Sequence, residues 1–140
     1  MSIRNFDALF APRSIALIGA SNEPGSVGSV LVDNLVSGGF AGRIMLVNPH
    51  AREIHGRQCH RSVETLPEVP DLAVIATPAR TVPGIIAALG ERGCCAAIVI
   101  SAGLGETVDG ATLRQQVLDA ARPHLMRIVG PNCLGLISPA

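Results

Sequence analysis

The 140 residues carry 11 arginine-plus-lysine and 11 aspartate-plus-glutamate side chains, so the formal net charge is zero, and there is no Trp, no Tyr and only three Phe. Without a positive field or stacking rings, a nucleic-acid surface is excluded. Apolar runs stay far short of the roughly 18 residues of a membrane span, and the opening MSIRNFDALF lacks the apolar core of a signal peptide, so a cytoplasmic protein is expected.

Residues 5–10 read as a helical lead-in, and Ser14–Ile18 (SIALI) as a first, buried strand. The strand empties into GASNEPGSVG, and from Ser26 the apolar period becomes helical, with Val27, Val30, Leu31 and Leu35 expected on one stripe. The loop therefore joins the carboxyl end of a strand to the amino end of a helix. Unpaired amides and the helix dipole favour an anion there, and glycines allow it close to the backbone. Pro24 and Gly25 make a turn, Ser26 is the expected N-cap, and Gly28 has no side chain to hold helix from strand. The glycine spacing is G-x5-G-x2-G, a phosphate loop longer than the dinucleotide fingerprint G-x-G-x-x-G.

Further strands are expected at Arg43–Val47 (RIMLV) and at residues 71–76 (DLAVIA), 96–100 (AAIVI) and 126–129 (MRIV). These runs are apolar at successive positions, as in parallel strands covered on both faces. Helical periods occupy residues 82–92 and 110–122, with a short helical turn at 62–66 before Pro67. The alternation predicts an α/β fold: a Rossmann-like, doubly wound parallel sheet of about five strands with helices on both faces, one domain over residues 1–140. The four cysteines form no C-x-x-C pair, and adjacent Cys94 and Cys95 suit reduced thiols better than a disulfide. His55, Cys59 and His60 lack an evident fourth ligand and read as loop residues rather than a metal site.

Ligands of such sheets bind at the carboxyl ends of the strands. The residues there are Gly19, Ala20, Ser21 and Asn22; Asn48, Pro49 and His50; Thr77, Pro78 and Ala79; Ser101, Ala102 and Gly103; and Gly130, Pro131, Asn132 and Cys133. All are small, polar or turn-forming, and a crevice lined by them admits a long, thin ligand. An NAD site would usually place Asp or Glu after the second strand to hold the ribose diol. Asn48-Pro49 stands there instead, which suits a ribose that carries a phosphate.

In this order, LFAPRSIALIGAS, GFAGRIMLVNP, DLAVIATPA, IVISAGLGE and RIVGPNCLGLI resemble the N-terminal CoA-binding domain of the NDP-forming acyl-CoA synthetases, the group of ADP-forming acetyl-CoA synthetase and the succinyl-CoA synthetase α subunit. The resemblance implies that Gly19, Ala20, Ser21, Asn22, Val27 and Gly28 cradle the nucleotide end of coenzyme A. It places Asn48 and Pro49 beside the adenosine and its 3′-phosphate. Thr77, Pro78 and Ala79, with Ile100, Ser101 and Ala102, would flank the pantetheine arm, and Asn132 and Cys133 the thiol end. Cys133 reads as a small turn residue rather than a nucleophile, and Glu106 as a solvated loop carboxylate or a cap near the fourth helix; Arg80 is either a pyrophosphate contact or decoration of a helix start.

Two departures from the family matter. ADP-forming members commonly carry Lys after Asn-Pro, where this chain has His50, with Arg52 two residues on as a substitute. Histidines as a class titrate near pH ~6.5, so CoA affinity that weakens between about pH 6 and 8 would mark His50, and a flat profile Arg52. The family also passes a phosphoryl group through a histidine of a later domain and grasps ATP or GTP in another. None of His50, His55, His60 or His124 stands in such a segment, so this chain is expected to bind CoA without forming a thioester, with ATP/ADP and Mg entering only through other domains of a larger ligase. The same domain begins some protein lysine acetyltransferases. An NAD(H)-responsive regulatory domain and a stand-alone CoA-binding protein are the remaining readings.

Overall fold

The computed structural model describes residues 4–133. Its elements are α1 (Phe6–Phe10), β1 (Ser14–Ile18), α2 (Val27–Ser37), β2 (Arg43–Val47), β3 (Glu53–Ile54), β4 (Arg57–His60), β5 (Leu72–Ile75), α3 (Val82–Glu91), β6 (Ala96–Val99), β7 (Thr107–Val108), β8 (Ala111–Thr112), α4 (Leu113–Ala121) and β9 (Arg127–Val129), with 3-10 turns at Val63–Thr65, Ala79–Thr81 and Arg122–His124. Seven strands form one sheet in the order β3-β4-β2-β1-β5-β6-β9, and β7-β8 is a separate hairpin. All pairs from β4 to β9 in that list are parallel. Counted along the chain, these six strands run 3-2-1-4-5-6, the doubly wound dinucleotide order, whose ligand crevice lies where the order reverses beside β1.

All five residues of β1 are buried, so both faces of the sheet are covered. Ile15 and Leu17 pack with Leu9 of α1, Val32 of α2, Leu46, Val74 and Ile98. Ala16 and Ile18 point the other way, into Met45, Ile75, Ile86 and Leu89 of α3, and Leu113 and Val117 of α4. Period-two alternation on one strand thus feeds two cores, and the helices divide between the faces.

The five expected strands are present as β1, β2, β5, β6 and β9, but the sheet is wider than the expected five. The chain leaves β2, turns through β3 antiparallel to β4, and lays β4 alongside β2 with no helix in the crossover. These strands are short and largely solvent-facing, with only Ile54 and Cys59 buried, so no apolar run announces them. The phase of α2 also differs from the expected stripe. Val27 and Val30 are 56% and 46% exposed, while Gly28, Ser29 and Val32 are buried and Leu31 and Leu35 pack on the core. Gly28, Leu31, Val32 and Leu35 are the inward face. A glycine at the contact is silent in a hydrophobicity pattern, which explains the shift. Among the described residues no helix is long and apolar enough to cross a membrane.

Candidate functional site

The β1–α2 loop is built by close backbone approach. Gly19 donates its amide to the Val47 carbonyl at 3.0 Å and then turns with φ +100°; a Cβ there would also stand 2.7 Å from the Ala76 oxygen. A Cβ on Gly28 would come within 2.0 Å of the Gly19 oxygen, so the first turn of α2 rests directly on the strand end. Ser26 is the N-cap, its Oγ accepting from the Ser29 amide at 3.2 Å, and it donates to the Glu23 carbonyl at 2.7 Å. Ser21 Oγ accepts from the Glu23 amide at 3.0 Å, which braces the loop from within.

The polar side chains along the crevice divide by task. Asn22 donates through Nδ2 to the Glu53 carbonyl at 2.8 Å and accepts through Oδ1 from the His55 amide at 3.1 Å. Asn48 donates to the Ala20 carbonyl at 2.8 Å and accepts from the His50 amide at 2.7 Å. Ser101, buried, donates to the Thr77 carbonyl at 2.6 Å, and the Ser101 carbonyl accepts from the Asn132 amide at 3.1 Å. Cys133 Sγ donates to the Val99 carbonyl at 3.4 Å. Apart from the Asn48–His50 bond, which is internal to its loop, each of these bonds ties one strand-end loop to a neighbouring element. These side chains brace the rim.

A cavity of about 640 Å3 opens at the carboxyl ends of β1, β2 and β5, against the first turns of α3. Of the residues expected at the site, Gly19, Asn48, Pro49, His50, Thr77 and Pro78 line it. Ser21 and Asn22 lie on the β1–α2 loop and Val27 and Gly28 in the first turn of α2, all outside its wall; Ala20 is fully buried, and Arg52 is exposed and off the wall. Ala79 begins the 3-10 turn before α3, while Ile100, Ser101, Ala102, Asn132 and Cys133 follow β6 and β9, further along the same edge. Sequence reasoning missed Arg61, Ser62 and Glu64 on one wall and Gly84 and Ile85 of α3 on another. The strand-end rule points to Arg61-Ser62 once β4 is known, but β4 itself carries no readable pattern. A second cavity, about 560 Å3 between the end of α4 and the start of β9, sits at the amino ends of the strands, where such sheets do not hold their ligands.

Positive charge at the site comes from arginine and histidine alone, because the chain contains no lysine. His50 and Arg61 both line the cavity, and Glu64 is the sole carboxylate among the described residues on its wall. Arg80 is drawn away by Glu106, with which it pairs across the loops that follow β5 and β6. Among the described residues no group of three His, Cys, Asp or Glu side chains is placed to hold a metal ion, and all four cysteines are free thiols.

A family model described as a CoA binding domain matches residues 13–139. This chain belongs to that CoA-binding domain family. Its cofactor is accordingly coenzyme A, in keeping with the loop chemistry and the strand order. The chain is 41% identical over 94% of its length to an ADP-forming acetate–CoA ligase I of Archaeoglobus fulgidus, and 41% identical over 96% to trans-feruloyl-CoA synthase FCS1 of an unidentified prokaryote. It spans 19% of the length of each. Over 93% of the chain and 28% of the other, it superposes with a TM-score of 0.84 and 38% identity on the apo dinucleotide-forming acetyl-coenzyme A synthetase 1 of Ca. Korarchaeum cryptofilum. The LGLI end of the last resembling block, residues 134–137, lies outside the described residues.

Proposed function

We propose that this chain is the CoA-binding module of an NDP-forming acyl-CoA ligase and holds CoA in an extended pose along the carboxyl edge of the sheet. In this reading the adenosine occupies the cavity between Pro49, Pro78 and Ile85, and the pyrophosphate meets the amides of the β1–α2 loop. The pantetheine arm then runs past residues 77–79 and 100–102 toward Asn132 and Cys133. The observation that carries the reading is the cavity itself: apolar walls at the sheet's switch point, with His50 and Arg61 as its cationic groups. Arg61 takes the larger share of the 3′-phosphate. It lines the wall, and Arg52 does not.

CoA, when bound, supplies the thiol that accepts the acyl group. This chain's residues bind and orient the carrier; acyl-phosphate chemistry belongs to the remainder of the parent ligase, with which this module partners. The acyl group is set elsewhere too. An acetate ligase and a feruloyl-CoA synthase are equally close to this chain, so the domain they share does not distinguish those acids. Four free thiols support a cytoplasmic setting.

Isothermal titration with CoA, dephospho-CoA and NADH tests the reading. CoA binds most tightly, and removing the 3′-phosphate weakens binding by about 1.5 to 3 kcal/mol, the scale of hydrogen bonds to a charged group. Arg61→Ala abolishes most of that difference and Arg52→Ala little of it. Binding of NADH in preference to CoA would turn the assignment toward a dinucleotide-responsive regulator.

A further inference from the structure

One hydrogen-bonded array lies outside the cavity wall. Ser29 Oγ lies 3.1 Å from His55 Nε2, and His55 Nδ1 lies 2.8 Å from Asp33 Oδ1. The order and spacing are those of a hydrolytic triad, yet Ser29 is only 5% exposed within α2, so its oxygen is closed to a substrate carbonyl. The array works on structure instead. Ser29 and Asp33 stand one turn apart on α2, and His55 occupies the tip of the β3–β4 hairpin in the left-handed region, at φ +49°. Asn22, from the β1–α2 loop, grips the same hairpin at the Glu53 carbonyl and the His55 amide.

The hairpin is the covalent path between the cavity residues His50 and Arg61. Whatever fixes it against α2 also fixes the cationic wall relative to the phosphate loop. We propose that the Ser29–His55–Asp33 array is a positioning clamp that sets the spacing between the β1–α2 loop and the His50/Arg61 wall. One ligand can then place its pyrophosphate on the first and its ribose phosphate against the second. The inference rests on the CoA reading above. It makes His55 a positioning residue for recognition of the ribose phosphate, without itself touching the cofactor. Preorganisation of this kind raises affinity by lowering the ordering cost of binding.

The test is titration of the chain and its variants with CoA and with dephospho-CoA, alongside thermal melts and hydrogen exchange. His55→Ala should melt cooperatively and lower the ratio of CoA to dephospho-CoA affinity on the order of fivefold, with faster exchange in residues 50–57. Asp33→Ala should lower the ratio as well, and Asp33→Asn, which keeps an oxygen acceptor for the His55 Nδ1 proton, should restore most of it. If His55→Ala does not fold, Ser29→Ala reads the same ratio. A ratio unchanged in a folded clamp variant overturns the clamp and leaves the CoA reading standing. Failure of the unaltered chain to bind CoA overturns both.

Discussion

Burial isolates the Cys94 thiol just before β6. The residue is 1% exposed, and desolvation by burial, opposed by a weaker backbone hydrogen bond of Ala96 to the thiolate form, pushes its pKa up to about 11. In the unfolded chain the thiol ionises first, so above its ordinary value the native state holds the extra proton and stability falls as pH rises. The contribution is whole below about pH 9 and fades toward pH 11, on the order of 3 kcal/mol in all. With no lysine or tyrosine in the chain, thiols dominate that window, and burial raises the Cys59 thiol in the same direction. Urea unfolding at pH 8, 9.5 and 10.5 should show the decline, and Cys94→Ala should make it shallower; an equal slope in the variant would assign the alkaline loss elsewhere. At this scale the residue types along the crevice were legible in the sequence and their hydrogen bonds to one another were not. Asn22 and Asn48 stand where ligand contacts were expected, yet their amides are committed to Glu53, His55, Ala20 and His50. Such bonds depend on which loops meet in space, and no local pattern encodes that.

At the scale of elements, β1 and α2 meet through two glycines. The Gly28 position leaves 2.0 Å between an added Cβ and the Gly19 oxygen, a backbone atom that cannot rotate aside. Gly28→Ala must therefore lift α2 from the strand end and open the β1–α2 loop. The expected result is a destabilisation of roughly 3 kcal/mol or more, in the range of severe overpacking, with CoA binding lost at temperatures where the variant is still folded. Gly105→Ala, whose Cβ meets nothing within 4 Å, should stay within about 0.5 kcal/mol of the unaltered chain. Calorimetry and titration of the two variants compare them directly, and equal losses would remove the close approach as the reason for glycine at 28. Long apolar elements were read to within a residue or two, because β1, β2 and α3 announce themselves by period and by breakers. The β3–β4 hairpin was not, since only Cys59 of its RQCH strand is buried. Its pairing with β2 stabilises what its composition does not suggest. That omission also hid Arg61.

For the whole molecule, the six parallel strands in the order 3-2-1-4-5-6 bring loops from distant parts of the chain to one edge, beside β1. The alternation of apolar runs and helical periods was enough to infer a doubly wound sheet and therefore which edge to search. Width and cavity walls came from the fold. The sheet has two edges with cavities, and only the carboxyl edge joins the β1–α2 loop to the His50/Arg61 wall. The most direct test is a crystal structure of this chain grown with CoA. We expect the adenosine between Pro49, Pro78 and Ile85, the 3′-phosphate at Arg61 and the pyrophosphate at the β1–α2 loop. Density for CoA in the groove between α4 and β9, with the carboxyl-edge cavity empty, would contradict the account.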